Sequence, residues 1–171
     1  MPATKTAKPP VFPTRIDLPS EDRTALIGLL NERLADTMDL YTQVKQAHWN
    51  VKGLNFFQLH ELFDQLAGEV LPFVDQIAER ATALGGTAMG TVRMAAGHST
   101  LPEYPEAIDE QYHLIALIDR YAAFARNVRD AVDFADHHHD RDTADLFTEI
   151  SRAADKHLWF LEAHLQSAPE A

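Results

Sequence analysis

The chain contains no cysteine, which excludes both a disulfide framework and a thiolate metal site. It contains no uninterrupted apolar run long enough to span a bilayer. Its N-terminus lacks the apolar segment of a secretory leader, so a cytosolic protein is the expectation. Cations are scarce: 15 Lys and Arg face 26 Asp and Glu, for a net charge of −11. That balance argues against a surface that grips nucleic acid by itself and suits one that attracts cations. The 171 residues are enough for one domain with a full core.

What the sequence does have is helical periodicity. Ser20 reads as an N-cap, with Glu21 and Asp22 in the first turn, where the helix dipole favours acids. Leu26, Leu30, Leu34, Met38, Tyr41, Val44 and His48 then recur by threes and fours, predicting a first helix to about Asn50. Gly53 stops it. A second helix is expected from about Asn55 to Leu84, ended by Gly85 and Gly86. Its apolar stripe is Phe56, Leu59, Phe63, Leu66, Val70, Phe73, Ile77 and Leu84. Pro72 interrupts its hydrogen bonding, which predicts a kink or bulge. Residues 85–105 form a long crossover with a short helix near residues 87–96. A third helix is expected to start near Pro105, with Leu114, Leu117, Tyr121, Phe124, Val128 and Val132 on its buried face. Phe147, Ile150, Ala154, Leu158, Leu161 and Leu165 form the stripe of a fourth. His157 and His164 beside it read as packing or surface residues. Five prolines in residues 1–19 forbid a helix there and predict an extended arm ahead of a bundle at 20–166 and a short tail at 167–171.

The second helix also carries chemistry. His60, Asp64, Asp75 and Glu79 fall within an arc of about 100°, roughly 150° from the apolar stripe. Their neighbours on that arc, Ala67, Gly68, Leu71 and Ala78, are small or apolar, an odd choice for a face that only meets water. Each pair, His60/Asp64 and Asp75/Glu79, is one turn apart and suits a divalent cation. The pairs are centred about 15 residues apart, about 22 Å along a helix, so one ion cannot touch both from one chain. A second copy lying antiparallel across a two-fold axis near Glu69 and Val70 would bring them together in two equivalent sites. The expectation is a metal site between subunits. His48 alone reads either as a hydrogen-bonded core histidine or as a ligand.

The string His48-Trp49-Asn50-Val51-Lys52-Gly53, then His60-x3-Asp64, then Asp75-x3-Glu79-Arg80 followed by Leu84-Gly85-Gly86, resembles the Dps family, the ferritin-like DNA-protection proteins of starved bacteria. The likeness spans roughly residues 20–166 and includes the closing Asp155-Lys156-x-Leu158-Trp159-Phe160-Leu161-Glu162. It implies an all-α, ferritin-like four-helix bundle with a long crossover between the second and third helices, assembled from two-fold dimers into a hollow homo-dodecamer. It implies that His48, His60 and Asp64 of one subunit and Asp75 and Glu79 of its mate bind iron. Fe(II) would be oxidised there, preferably by hydrogen peroxide, and stored as Fe(III). Carboxylate and imidazole suit iron, and zinc could occupy the same donors.

Further roles come from the same resemblance. Trp49 would lie near the iron and intercept oxidising equivalents; otherwise it packs. Asp142 and Asp145 would line an acidic pore that admits Fe(II), against a reading in which Asp142 caps the fourth helix. Lys5, Lys8 and Arg15 would contact DNA phosphates, against a tail with routine charges. Such contact would place the protein at the nucleoid. Asp136-His137-His138-His139-Asp140 is metal-capable by composition and otherwise a solvated loop. Glu110-x-x-His113 matches half of an intrasubunit di-iron motif, but no second copy exists. Two function classes remain: an iron-oxidising storage shell, and a DNA-compacting structural protein with secondary metal chemistry.

Overall fold

A computed structural model describes residues 10–106 and 109–166. Five helices follow in order: α1 Ser20–Asn50, α2 Phe56–Ala83, α3 Val92–His98, α4 Glu110–His137 and α5 Arg141–Ala163. Among the described residues there is no strand, only one isolated bridge between Lys52 and Asp109. α1 packs along α2 and α4 along α5, and these two antiparallel pairs close into a four-helix bundle. No helix among the described residues is long and apolar enough to cross a membrane.

The core is the set of stripes read from the sequence. Phe63, Leu66, Ile77, Tyr121, Phe124 and Phe147 are fully buried between the pairs. Truncating Phe63 to alanine would cost about 3–5 kcal/mol, because packed interiors collapse only in part around a void. The stripes fray at their ends: Phe56 and Leu165 are exposed, since the last turn of a helix has no neighbour to cover it.

The crossover runs the length of the bundle. It leaves α2 beside the start of α1, where Arg23 donates through Nη1 to the Leu84 carbonyl. It reaches α4 beside the α1–α2 turn, where the Glu110 amide donates to the Lys52 carbonyl at 3.1 Å. Midway it is clasped by Asp36 of α1, which is fully buried and accepts from the Thr100 amide and the Asn127 side chain.

Helix starts differ from expectation in three places. Ser20 is the first residue of α1 and not its cap: Pro19 precedes it in extended backbone, with no side-chain cap. α4 begins at Glu110, with Asp109 accepting from the Gln111 amide, and not at Pro105. Arg120 holds the chain ahead of α4 by donating to the Glu103 carbonyl and standing over the Tyr104 ring. Asp140, not Asp142, caps α5, accepting from the Thr143 amide at 3.1 Å. The crossover helix also lies later than residues 87–96. α2 continues through Pro72 without a break or change of helix type.

Residues 10–19 are non-helical, as the prolines require, and part of the segment is pinned to the bundle. The Phe12 amide donates to the Gly85 carbonyl at 2.7 Å. Gly85 has a left-handed φ of 91°, and a Cβ there would strike the Phe12 carbonyl.

Candidate metal centre

The α1–α2 turn brings His48 and His60 face to face. Their rings stack with centroids 3.8 Å apart. His48 Nδ1 lies 2.8 Å from the His60 carbonyl, and His60 Nδ1 lies 2.9 Å from the His48 carbonyl. A carbonyl can only accept, so both Nδ1 atoms carry protons. The nitrogen left for a metal on each ring is therefore Nε2. Orientation of a ligating imidazole by a bond from its other nitrogen is the usual second shell of a metal site.

The turn itself is set by Glu110, whose carboxylate accepts from the Asn55 amide and side chain at the mouth of α2. A Cβ at Gly53 would meet that carboxylate. Glu110 is thus committed to shaping the turn, and His113 is bonded to Tyr104. The half di-iron motif is absorbed by structural contacts.

Asp64 lies one turn beyond His60. Its Oδ1 is 3.9 Å from His48 Nε2 and 2.6 Å from Lys45 Nζ. The Lys45 hydrogen bond, ahead of charge effects from Lys45 and the two histidines, holds the exposed Asp64 carboxyl below its usual range. The same ammonium nitrogen lies 5.8 Å from the centroid of the Trp49 ring. Trp49 is exposed.

Asp75 and Glu79 are exposed on the same helix, more than two turns beyond His60 and Asp64. Among the described residues no group of three or more His, Asp or Glu side chains within one chain converges as a metal cage. Arg80, next to Glu79, donates through Nη2 to Asp140 at 2.6 Å and through Nε to Thr143, fixing the end of α2 against the start of α5.

The other sequence-read residues lie elsewhere. Asp142, Asp145 and Glu149 are exposed at the start of α5, with Asp142 3.8 Å from Arg80. His138 reaches Asp22 of α1 at 3.1 Å and packs on Phe134, while His139 takes a positive φ of 59°. That trio closes a helix turn. Arg15 is exposed; Lys5 and Lys8, and the tail 167–171, lie outside the described residues. His157 is buried and bonds Glu69 at 2.7 Å, whereas His164 is exposed. Sequence reasoning missed Lys45; its place one turn before His48 on α1 is the signal that was available.

This fold, two antiparallel helix pairs joined by one long crossover, is that of the ferritin-like proteins, and the ferritin-like domain family matches residues 27–171. The chain is 47% identical over 154 residues to the DNA protection during starvation protein of Agrobacterium fabrum, covering 90% of this chain and 95% of that protein. It is 32% identical over 138 residues to the protein of the same name from Brevibacillus brevis, covering 81% and 93%. Among solved structures, DpsA14 from Streptomyces coelicolor superposes with a TM-score of 0.90 at 34% identity, covering 96% of this chain and 98% of that one. A Dps protein from Vibrio cholerae, described as one of the ferritin-like diiron-carboxylate proteins, superposes with a TM-score of 0.85 at 25% identity, covering 94% and 100%. The chain belongs to the Dps family.

Proposed function

We propose that this protein oxidises Fe(II) at sites shared between two copies, with hydrogen peroxide as the preferred oxidant, and stores the Fe(III) in a hollow shell of twelve copies. The observation that carries the reading is the reciprocal latch of His48 and His60. It presents two Nε2 lone pairs beside Asp64, at a site that one chain leaves incomplete. Fe(II) is the substrate. It would displace Lys45 from Asp64 and bind the two imidazoles and that carboxylate. Asp75 and Glu79 of a second copy would complete the set, and their negative charge favours the Fe(III) that forms. Two ferrous ions supply the two electrons that, with two protons, reduce one peroxide to two waters. No hydroxyl radical leaves, which protects DNA without contact. Trp49, beside His48, would intercept stray oxidising equivalents.

The arc between the two donor pairs supports a shared site. Leu71 is exposed there, and Gly68 has open space around it. A face of that kind suits close approach by a second α2. The test is complementation. One variant carries His60→Ala and Asp64→Ala; the other carries Asp75→Ala and Glu79→Ala. Each alone loses peroxide-driven ferric absorbance. Dissociated and reassembled together, they regain about a quarter of wild-type activity, since half the random dimers are mixed and each mixed dimer has one intact site. No recovery from mixed dimers would sink the shared site.

DNA contact is the second reading. It is favoured by the exposed Arg15 and by relatives named for DNA protection, with Lys5 and Lys8 as further phosphate contacts. A gel shift that is lost at high salt, and lost in a variant lacking these three cations, is the expected result.

A further inference from the structure

Beneath the crossover, Tyr104 places its hydroxyl 2.7 Å from Nδ1 of His113. His113 is fully buried. Burial pulls the His113 pKa down, opposed by the Asn50 backbone and Asp109, so the ring is neutral and its Nδ1 can accept. Burial also pushes the Tyr104 pKa up, so the phenol keeps its proton and donates. The Arg120 guanidinium stands 5.7 Å from the centre of the Tyr104 ring. It is itself held by Gln43 and the Ala116 and Glu103 carbonyls. A fixed cation there disfavours positive charge on the ring, so loss of an electron must be accompanied by loss of the phenolic proton. His113 is placed to take it.

Tyr104 also shares a surface cavity of about 630 Å³ with Trp49, and Trp49 follows His48 in sequence. The chain has an internal contrast. Tyr121 is fully buried, and its hydroxyl has no hydrogen-bond partner among the described residues. A phenol with nowhere to send its proton is hard to oxidise; one bonded to a neutral imidazole is easier.

We propose that Tyr104 and His113 form a one-electron relay that holds an oxidising equivalent between two ferrous oxidations. The inference rests on the iron-oxidation reading above. The first Fe(II) gives one electron to hydrogen peroxide, the O–O bond breaks, and Fe(III), hydroxide and a hydroxyl-radical equivalent result. Tyr104 supplies the second electron, which reduces that equivalent to hydroxide, while its phenolic proton moves to His113 Nδ1. The products are a neutral tyrosyl radical and an imidazolium. A second Fe(II) then reduces the radical, the proton returns from His113, and the phenol is restored. The sum is two Fe(II) oxidised per peroxide, with two hydroxides formed.

The test uses the assembled full chain, loaded anaerobically with ferrous salt, mixed with hydrogen peroxide and freeze-quenched for electron paramagnetic resonance. Ferric absorbance and spin-trapped hydroxyl radical are read from the same mixtures. The expected result is a tyrosyl signal that narrows with ring-deuterated tyrosine, is lost in Tyr104→Phe and persists in Tyr121→Phe. Tyr104→Phe still forms ferric product but releases more trapped radical. A tyrosyl signal undiminished in Tyr104→Phe overturns the relay, as does ferric product without any tyrosyl signal in the wild type. Absence of ferric product in the wild type overturns the iron-oxidation reading and takes the relay with it.

Discussion

At the scale of single residues, the contact between Glu69 and His157 makes stability depend on acid. The Gln65 hydrogen bond, then that from His157, hold the Glu69 pKa at about 2, down from 4.5. Its contribution is complete above pH 4.5 and is lost as pH falls toward 2. Burial lowers the His157 pKa from 6.5, against the pull of Glu69. Below pH 6.5 the unfolded chain takes up a proton that the folded chain resists, so this group also favours unfolding as pH falls. The denaturant midpoint is expected to drop in two stages on acidification. His157→Gln should flatten the limb just below pH 6.5, and Glu69→Gln the limb below 4.5; unchanged slopes in both variants would refute the assignment. That His60, Asp64, Asp75 and Glu79 share one helix was legible in the sequence, because helical periodicity is fixed. The tautomers of His48 and His60 were not, since they depend on backbone carbonyls across a turn. Lys45 was hidden for a similar reason: its partner Asp64 belongs to the other helix.

At the scale of elements, helix bodies followed from apolar spacing, and their ends did not always follow from local chemistry. α1 and α2 end within a residue of where Gly53 and Gly85 predict. α4 starts five residues after Pro105 because Arg120, ten residues into α4 itself, fixes the chain at Glu103 ahead of it. Asp140 rather than Asp142 caps α5 because Arg80 of α2 draws it inward. These are contacts between distant segments, which local propensity does not encode. Gly85 shows the same coupling. Gly85→Ala must place a side chain at positive φ and against the Phe12 carbonyl. It should cost about 1–3 kcal/mol and release the N-terminal segment from the end of α2. Faster exchange of the Phe12 amide, measured beside the denaturant midpoint, checks both effects; slow exchange and an unchanged midpoint would contradict them.

At the scale of the whole molecule, a net charge of −11 and the exposed acids at the start of α5 favour the approach of cations. If Asp145 lines the path taken by Fe(II), Asp145→Asn should slow uptake at limiting iron by roughly two- to tenfold, with the difference shrinking as salt rises. Stopped-flow ferric absorbance reads this; equal rates at low salt would remove Asp145 from the path. The bundle was legible as a whole because four stripes, one long crossover and a lack of strands leave few arrangements. The proposed sharing between copies rests, in the sequence, on a mismatch: two donor pairs too far apart for one chain. The pinning of Phe12 at Gly85 has a practical consequence for that mismatch. Gly85 is six residues past Glu79, roughly 9 Å of helical rise, so a dye attached at the exposed Val11 would sit close to Asp75 and Glu79, the carboxylates that the proposed sharing lends to a second copy. Its fluorescence would be quenched by a paramagnetic ion, turning the strap into a gauge of site filling, read before any mineral has formed.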